Sequence, residues 1–225
     1  ATVGPTLHRR RAPCKRSACV ARTRAANLRA MIRLFGTTTS PFVRRVRVVA
    51  AELGVTCELV DTAKPEGQAE LRTRSPIWKV PTAEIGGRLV YDSHAITELL
   101  MAEHGPGPLV PFDPRDVDAR NAIAVIDGAL ESLINVMYLS RDGVAAEQSS
   151  YLVKQRERAA AAFAWLESRS DALGAGLGLV EIALVTTIGW VRFRRTYPID
   201  QHPGLVRCFE HFDARPSFAA TRPFE

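Results

Sequence analysis

A chain of 225 residues with 46% hydrophobic and 24% charged side chains can bury one large core or two small ones and has an ordinary globular composition. The formal charge of +6 does not describe the body of the chain: residues 1–30 carry eight basic side chains and no acid, and removing those eight from the 30 basic residues leaves 22 against 24 acids. A near-neutral body excludes a broad nucleic-acid-binding face, and the longest apolar stretch, Ile182 to Val191, is too short to cross a bilayer, so neither nucleic acid nor a membrane is expected as a partner.

Residues 1–30 lack apolar periodicity and read as a basic disordered tail. An Arg-rich, acid-free composition leaves three readings open: an extension ahead of a start at Met31, a targeting segment, or an anion-binding arm. The four cysteines, Cys14, Cys19, Cys57 and Cys208, follow no metal or redox spacing. They suit a reducing compartment, and a cytoplasmic location is expected.

Ile32 to Phe35 reads as a short strand, broken by Thr37-Thr38-Thr39-Ser40-Pro41. Ser40 is a good helix cap, and Pro41 suits the first helical position, where its missing N–H costs nothing. Val43, Val46, Ala50 and Leu53 then fall at helical spacing until Gly54 ends the helix. Thr56 to Val60 is a second strand, which completes a βαβ unit and predicts a parallel pair. A polar segment follows from Thr62 to Trp78, with one short helical turn expected around Gln68–Arg72. Thr82–Ile85 and Leu89–Tyr91 are short strands joined by Gly86-Gly87, a two-residue hairpin signal. Asp92-Ser93 opens another helix, with Ile96, Leu99 and Leu100 facing a core.

His104-Gly105-Pro106-Gly107-Pro108 is the clearest linker, and everything beyond it reads as helix. Asp113-Pro114 signals the first helical start, with an apolar face from Ala119 to Met137. A second helix is expected from Ser150 to Ser168, and a third from Leu179 to Arg195. The third is apolar almost all round, as a helix at the centre of a bundle is. Pro203 to Ala214 and a turn from Pro216 complete the order. The expected fold is therefore α+β: a tail over 1–30, a thioredoxin-like βαβ-α-ββα domain over 31–103, a linker over 104–113 and an all-helical domain over 114–225.

Ser40-Pro41-Phe42-Val43-Arg44-Arg45-Val46-Arg47, Lys79-Val80-Pro81, Asp92-Ser93 and Arg215-Pro216-Ser217-Phe218 stand in an order and spacing that resembles the glutathione transferases. The likeness is to serine-type bacterial and plant tau-like members, including the YibF-like bacterial group, and covers 31–225. It implies a catalytic hydroxyl at the start of the first helix, placed at Ser40 with Thr39 as its rival. It also implies a cis-proline turn at Val80-Pro81 aimed at the cysteinyl part of glutathione, and Asp92-Ser93 as the γ-glutamyl site. Lys79 becomes a candidate for the glycyl carboxylate. No metal or prosthetic group is implied; glutathione is the co-substrate, a small apolar electrophile the second substrate, and a homodimer the expected assembly.

The chemistry asked of Ser40 is modest. A thiol of pKa about 8.5 is only a few per cent ionised at pH 7, and lowering that value by about two units requires roughly 2.7 kcal/mol of preference for the thiolate. A hydrogen bond to an ion contributes about 1.5–3 kcal/mol and a helix N-terminus about 0.3–1, so the two suffice together without a general base. Ser40 also has a purely structural reading, as a helix cap.

Two departures from the family pattern stand out: Trp78 replaces a small residue or histidine ahead of Lys79, and Gly178 with Glu181 forms only half a capping box. The resemblance puts the second-substrate pocket beside the first bundle helix, where Met137 and Tyr138 are candidate lining residues, although a Met–aromatic pair at helical spacing is more often core. Two alternatives to conjugation stay open. One is a binding or regulatory protein on the same fold, of the stringent-starvation type; the other is a glutathione-dependent reductase, peroxidase or isomerase.

Overall fold

The computed structural model describes residues 31–224 apart from 146 and 148, so the basic segment read above as a disordered tail lies outside the described residues. Strand β1 (Met31–Gly36) is followed by helix α1 (Pro41–Glu52), strand β2 (Thr56–Asp61), helix α2 (Pro65–Arg74), strands β3 (Thr82–Ile85) and β4 (Arg88–Tyr91), and helix α3 (Ser93–His104). The sheet order is β2-β1-β3-β4. The pair β1–β2 is parallel, as the crossover through α1 demands, and the other two pairs are antiparallel. Gly86 and Gly87 both adopt positive φ, the conformation that a two-residue hairpin of the favoured type requires.

The expected short turn at Gln68–Arg72 is a ten-residue helix, α2. Pro65 pre-sets its first turn, but the segment is polar nearly all round and buries only Gly67 and Leu71, so its apolar periodicity is too weak to mark its length.

Beyond α3 the chain is helical: α4 (Val117–Arg141), α5 (Ser150–Glu167), α6 (Leu179–Arg194), α7 (Pro203–Asp213) and the single turn α8 (Pro216–Ala219). The start of α4 corrects the sequence reading. Asp113 does not cap the helix; its carboxylate accepts from the Arg115 backbone in a local turn, and Asp116 caps instead by accepting from the Ala119 N–H. Helix α4 is also long and apolar enough on average to meet the length and composition of a membrane span, although Asp127 and Glu131 interrupt it. Here it packs against α5 and α6 and carries an ion-paired acid, Asp127, near its middle. Helix α6 sits at the centre of the bundle, buried from Ile182 through Ile188. Its N-terminus holds the surviving half of the box, with the Gly178 N–H donating to the Glu181 carboxylate at 3.0 Å.

Helix α1 joins the two layers. It packs against β1, β2 and α3 on one side and against α6 and α8 on the other, which leaves little of it exposed. Gly36 permits the approach from below: a Cβ there would stand 2.3 Å from a Val43 methyl. Burial on every side takes in Arg44 and Arg45 as well as the valines, and buried charge persists only when paired. Arg44 donates to Asp213 at 3.1 Å and to the Phe218 carbonyl at 3.2 Å. Glu52, at the far end of α1, accepts a two-pronged bond from Arg215 at 3.1 and 2.8 Å and a third bond from the Ser217 hydroxyl. Burial alone would raise the Glu52 pKa, but these donors reverse that and hold it below its ordinary value.

Gly189 of α6 permits the approach from above, since a Cβ there would lie 2.3 Å from the Arg44 guanidinium. That guanidinium is fixed by Asp213 and Phe218 and cannot swing clear. Gly189→Ala is therefore expected to destabilise the protein by about 1–3 kcal/mol in urea unfolding, despite alanine's better helix propensity. An unchanged or higher midpoint would show that Arg44 has room to move.

Candidate functional site

Strand register decides which loops meet. Phe35 stands opposite Thr82, and Thr82 opposite Tyr91. The loop after β1, the segment before β3 and the start of α3 therefore emerge from the same end of the sheet. Ser40, Lys79-Val80-Pro81 and Asp92-Ser93 belong to these three segments.

The first of them is a tight turn, closed by the Ser40 N–H donating to the Thr37 carbonyl at 3.3 Å. Ser40 has extended backbone geometry and its hydroxyl accepts from the Val43 N–H at 3.3 Å, so it caps α1. Capping does not use up the hydroxyl. The oxygen accepts the cap bond while its proton stays available to a ligand, so the structural and catalytic readings of Ser40 are compatible. The threonine hydroxyls of the turn are engaged differently: Thr37 and Thr39 approach each other at 3.3 Å, and Thr38 donates to the Phe224 carbonyl at 2.9 Å.

In the second segment the Val80-Pro81 peptide is cis, and the Thr82 hydroxyl braces the turn by donating to the Lys79 carbonyl at 3.0 Å. Lys79 itself is exposed. The unusual Trp78 has φ of 52°, the left-handed region that suits glycine and disfavours a bulky side chain. That accounts for the small residue expected there. The indole is 53% exposed and lies under the Arg72 guanidinium, 4.5 Å from the ring centre.

In the third segment Asp92 combines a positive φ of 65° with capping of α3, one carboxylate oxygen accepting from the His94 and Ala95 N–H groups at 2.8 and 3.0 Å. A non-glycine residue held in such a conformation marks a place where the surroundings outweigh local preference. Ser93 is buried, and its hydroxyl accepts from Arg45 at 3.2 Å, again leaving the hydroxyl proton free to donate. Arg45 reaches Ser93 from α1 and is only 2% exposed. Its other nitrogen donates to Asp127 of α4 at 2.6 Å, and Asp127 also bonds the His94 ring. Burial pushes the Asp127 carboxyl up, but His94 and Arg45 together more than offset this and hold it below the usual carboxylate range.

Sequence reasoning missed this Arg45–His94–Asp127 group. The signals were present: an arginine inside the apolar register of α1, and an acid flanked by Ile126, Ala129 and Leu130 on the buried face of α4. Each is a buried charge in need of a partner, but only the tertiary fold brings the two side chains together.

A cleft of about 570 Å³ opens between these loops and the bundle. Thr39, Ser40 and Phe42 line one side, with Trp78, Lys79 and Val80 beside them, and Glu131, Ile134, Asn135, Met137 and Tyr138 of α4 and Trp190 and Arg194 of α6 face them. Met137 and Tyr138 therefore line the cleft, so of the two readings of this pair the lining one holds: Tyr138 is 48% exposed. Asp92 and Ser93 do not line the cleft; they lie one residue past β4, at the same sheet end. The size suits a small molecule, and the lining mixes apolar rings with a few polar groups as ligand sites do. Among the described residues no group of three or more His, Cys, Asp or Glu side chains could hold a metal ion.

A four-stranded thioredoxin-like layer, a cis-proline turn and a helix-start hydroxyl facing a bundle define the glutathione-transferase architecture. Residues 34–108 match the family model for the glutathione S-transferase N-terminal domain. The chain is 30% identical over 208 residues, 85% of this chain and 98% of the relative, to an Escherichia coli protein known as the uncharacterized GST-like protein YibF. It superposes on a Methylobacterium radiotolerans glutathione S-transferase in complex with glutathione sulfonate, with TM-score 0.74 and 29% identity over 87% of this chain and 96% of that one. A Pseudomonas fluorescens family member with bound glutathione gives TM-score 0.75 and 26% identity over 86% and 100%. The chain belongs to the glutathione transferase family.

Proposed function

We propose that the chain binds glutathione along the sheet end described above and activates its thiol for transfer to a small electrophile. The observation that carries this reading is the placement of the Ser40 hydroxyl, at the N-terminus of α1, in the same cleft as Lys79 and Val80. The ligands held by the Methylobacterium and Pseudomonas relatives support it.

In this reading the Val80 backbone pairs with the cysteinyl amide, and Lys79 meets the glycyl carboxylate. The γ-glutamyl end lies at Asp92-Ser93, where the Ser93 hydroxyl and backbone N–H face the α-carboxylate. The Asp92 carboxylate faces the ammonium. The Ser40 hydroxyl keeps its proton and donates a hydrogen bond to the sulfur, which favours the thiolate once the thiol proton has left to solvent, and the positive end of α1 adds to that preference. The thiolate then gives its electron pair to an electrophilic carbon. A carbon–sulfur bond forms, and either a leaving group departs with its pair or, in conjugate addition, the carbon takes a proton from solvent. Ile134, Met137, Tyr138 and Trp190 give the second substrate an apolar wall.

Calorimetric titration with glutathione, followed by conjugation assays with aryl halides, activated alkenes and epoxides, tests the reading. One glutathione per chain and a thioether product detected by mass are expected. Absence of saturable binding up to about 1 mM, the upper end of ordinary KM values, would overturn it. Binding without product from any electrophile would leave only the binding function.

A further inference from the structure

Residues 213–224 touch α1 at two points and the turn before it at a third. Arg215 and Ser217 hold Glu52 at the end of the helix. Asp213 and the Phe218 carbonyl hold Arg44 in its first turn, and Arg222 braces Asp213 from outside at 2.8 Å. Beyond the start of the helix, the Phe224 carbonyl accepts from the Thr38 hydroxyl. Thr38 occupies the second position of the turn that Ser40 closes, between two threonines whose own hydroxyls approach each other. The Thr38 side chain is therefore tied to a residue 186 positions further along the chain.

We propose that the segment from Asp213 to Phe224 is a strap that positions the Ser40 turn for sulfur activation, with Thr38 as the positioning residue that couples the two. The proposal rests on the reading of Ser40 given above. A hydrogen bond to a thiolate is effective only at the right distance and angle, and an exposed turn tied at one end samples others. The tie to Phe224 restricts that motion. Glutathione affinity through Lys79, Val80 and Ser93 does not depend on it, because those groups stand on other segments.

The test uses the full chain with Thr38→Val, which keeps the shape and removes the donor, Thr38→Ser, which keeps the donor, and a chain ending after Arg222, which removes the acceptor but keeps the brace on Asp213. The thiolate absorbance of bound glutathione and kcat/KM are followed across pH, and binding of S-methylglutathione, which has no thiol to ionise, serves as control. Thr38→Val and the shortened chain are each expected to move thiolate formation to higher pH and to lower kcat/KM at pH 6.5 by roughly tenfold. The loss should recover at high pH, S-methylglutathione binding should be unchanged, Thr38→Ser should behave as the parent, and combining the two lesions should add nothing further. A pH profile that stays in place overturns the strap, as does an equal loss at every pH with weakened S-methylglutathione binding. Ser40→Ala in the same assay separates the two levels: if it moves the profile and the strap variants do not, only the strap fails; if it does not, the reading of Ser40 fails.

Discussion

Ser40→Ala should lower kcat/KM at pH 6.5 by roughly 10- to 150-fold, the equivalent of one hydrogen bond to an ion at about 1.5–3 kcal/mol. The sign of its pH dependence follows from the same bond. A donor to the sulfur favours the thiolate and lowers the bound thiol's pKa, so its removal returns that pKa toward the free value of about 8.5. The deficit should be largest in mildly acidic solution and shrink as the pH passes the free value. Part of the shift should survive, because the positive end of the α1 dipole is untouched by the substitution. Thr39→Val removes the rival hydroxyl, which faces the same cleft but stands 3.3 Å from that of Thr37, and should cost far less. If Ser40→Ala turns over normally at pH 6.5 while Thr39→Val does not, the catalytic hydroxyl belongs to Thr39. The loss of the cap, about 1 kcal/mol, should appear separately as a lower unfolding midpoint.

The largest expected effect on stability comes from Asp127→Ala. This change leaves Arg45 charged and buried, with only the Ser93 hydroxyl and the His94 ring beside it, and breaking a buried pair from one side costs about 3–5 kcal/mol. The residual exposure of Asp127, 15%, places the expectation near the lower end, at about 3 kcal/mol in urea unfolding at pH 7. Because the folded carboxyl titrates below its ordinary value, its contribution is complete above the unfolded pKa of about 3.9 and is lost as pH falls through the lower folded value. Parent and variant should therefore converge on acidification through that window. Glutathione should also bind more weakly to the variant, since Arg45 holds Ser93 from behind. A loss under about 1 kcal/mol at pH 7 would mean that Arg45 finds another partner or that water reaches it.

The elements legible in the sequence are those whose signals are local. Pro41 after Ser40, Gly86-Gly87 and the apolar run from Leu179 each state their conformation within a few residues, and each is found where expected, while the cis Val80-Pro81 turn was expected from the family resemblance alone. Helix α2 was legible only in part, because a helix lying on the surface with one buried leucine has little periodicity to read. The cap of α4 was misplaced by three residues because Asp113-Pro114 and Asp116 are both good stop-and-start chemistry, and only the path of the linker chooses between them. At the site, the short motifs were visible but the side chains behind them were not. Arg45, His94 and Asp127 come from three helices that sequence order does not bring together. For Met137 and Tyr138 the sequence left lining and core both open, because only the fold shows that their side of α4 faces the loops that carry Ser40 and Val80.

The span between Thr38 and Phe224 has a consequence for biosynthesis. The turn that presents Ser40 is among the first parts of the described body to leave the ribosome, yet its last tie is made 186 residues later. At roughly 5–20 residues per second, about 10–40 s of synthesis separate the two. Through that interval α1 has neither Asp213 for Arg44 nor Arg215 for Glu52, so a nascent chain carries buried-type charges with nothing to neutralise them. The N-terminal layer of this fold is therefore completed by the chain's far end, and a stalled or shortened polypeptide would hold the motif residues without the geometry that gives them meaning.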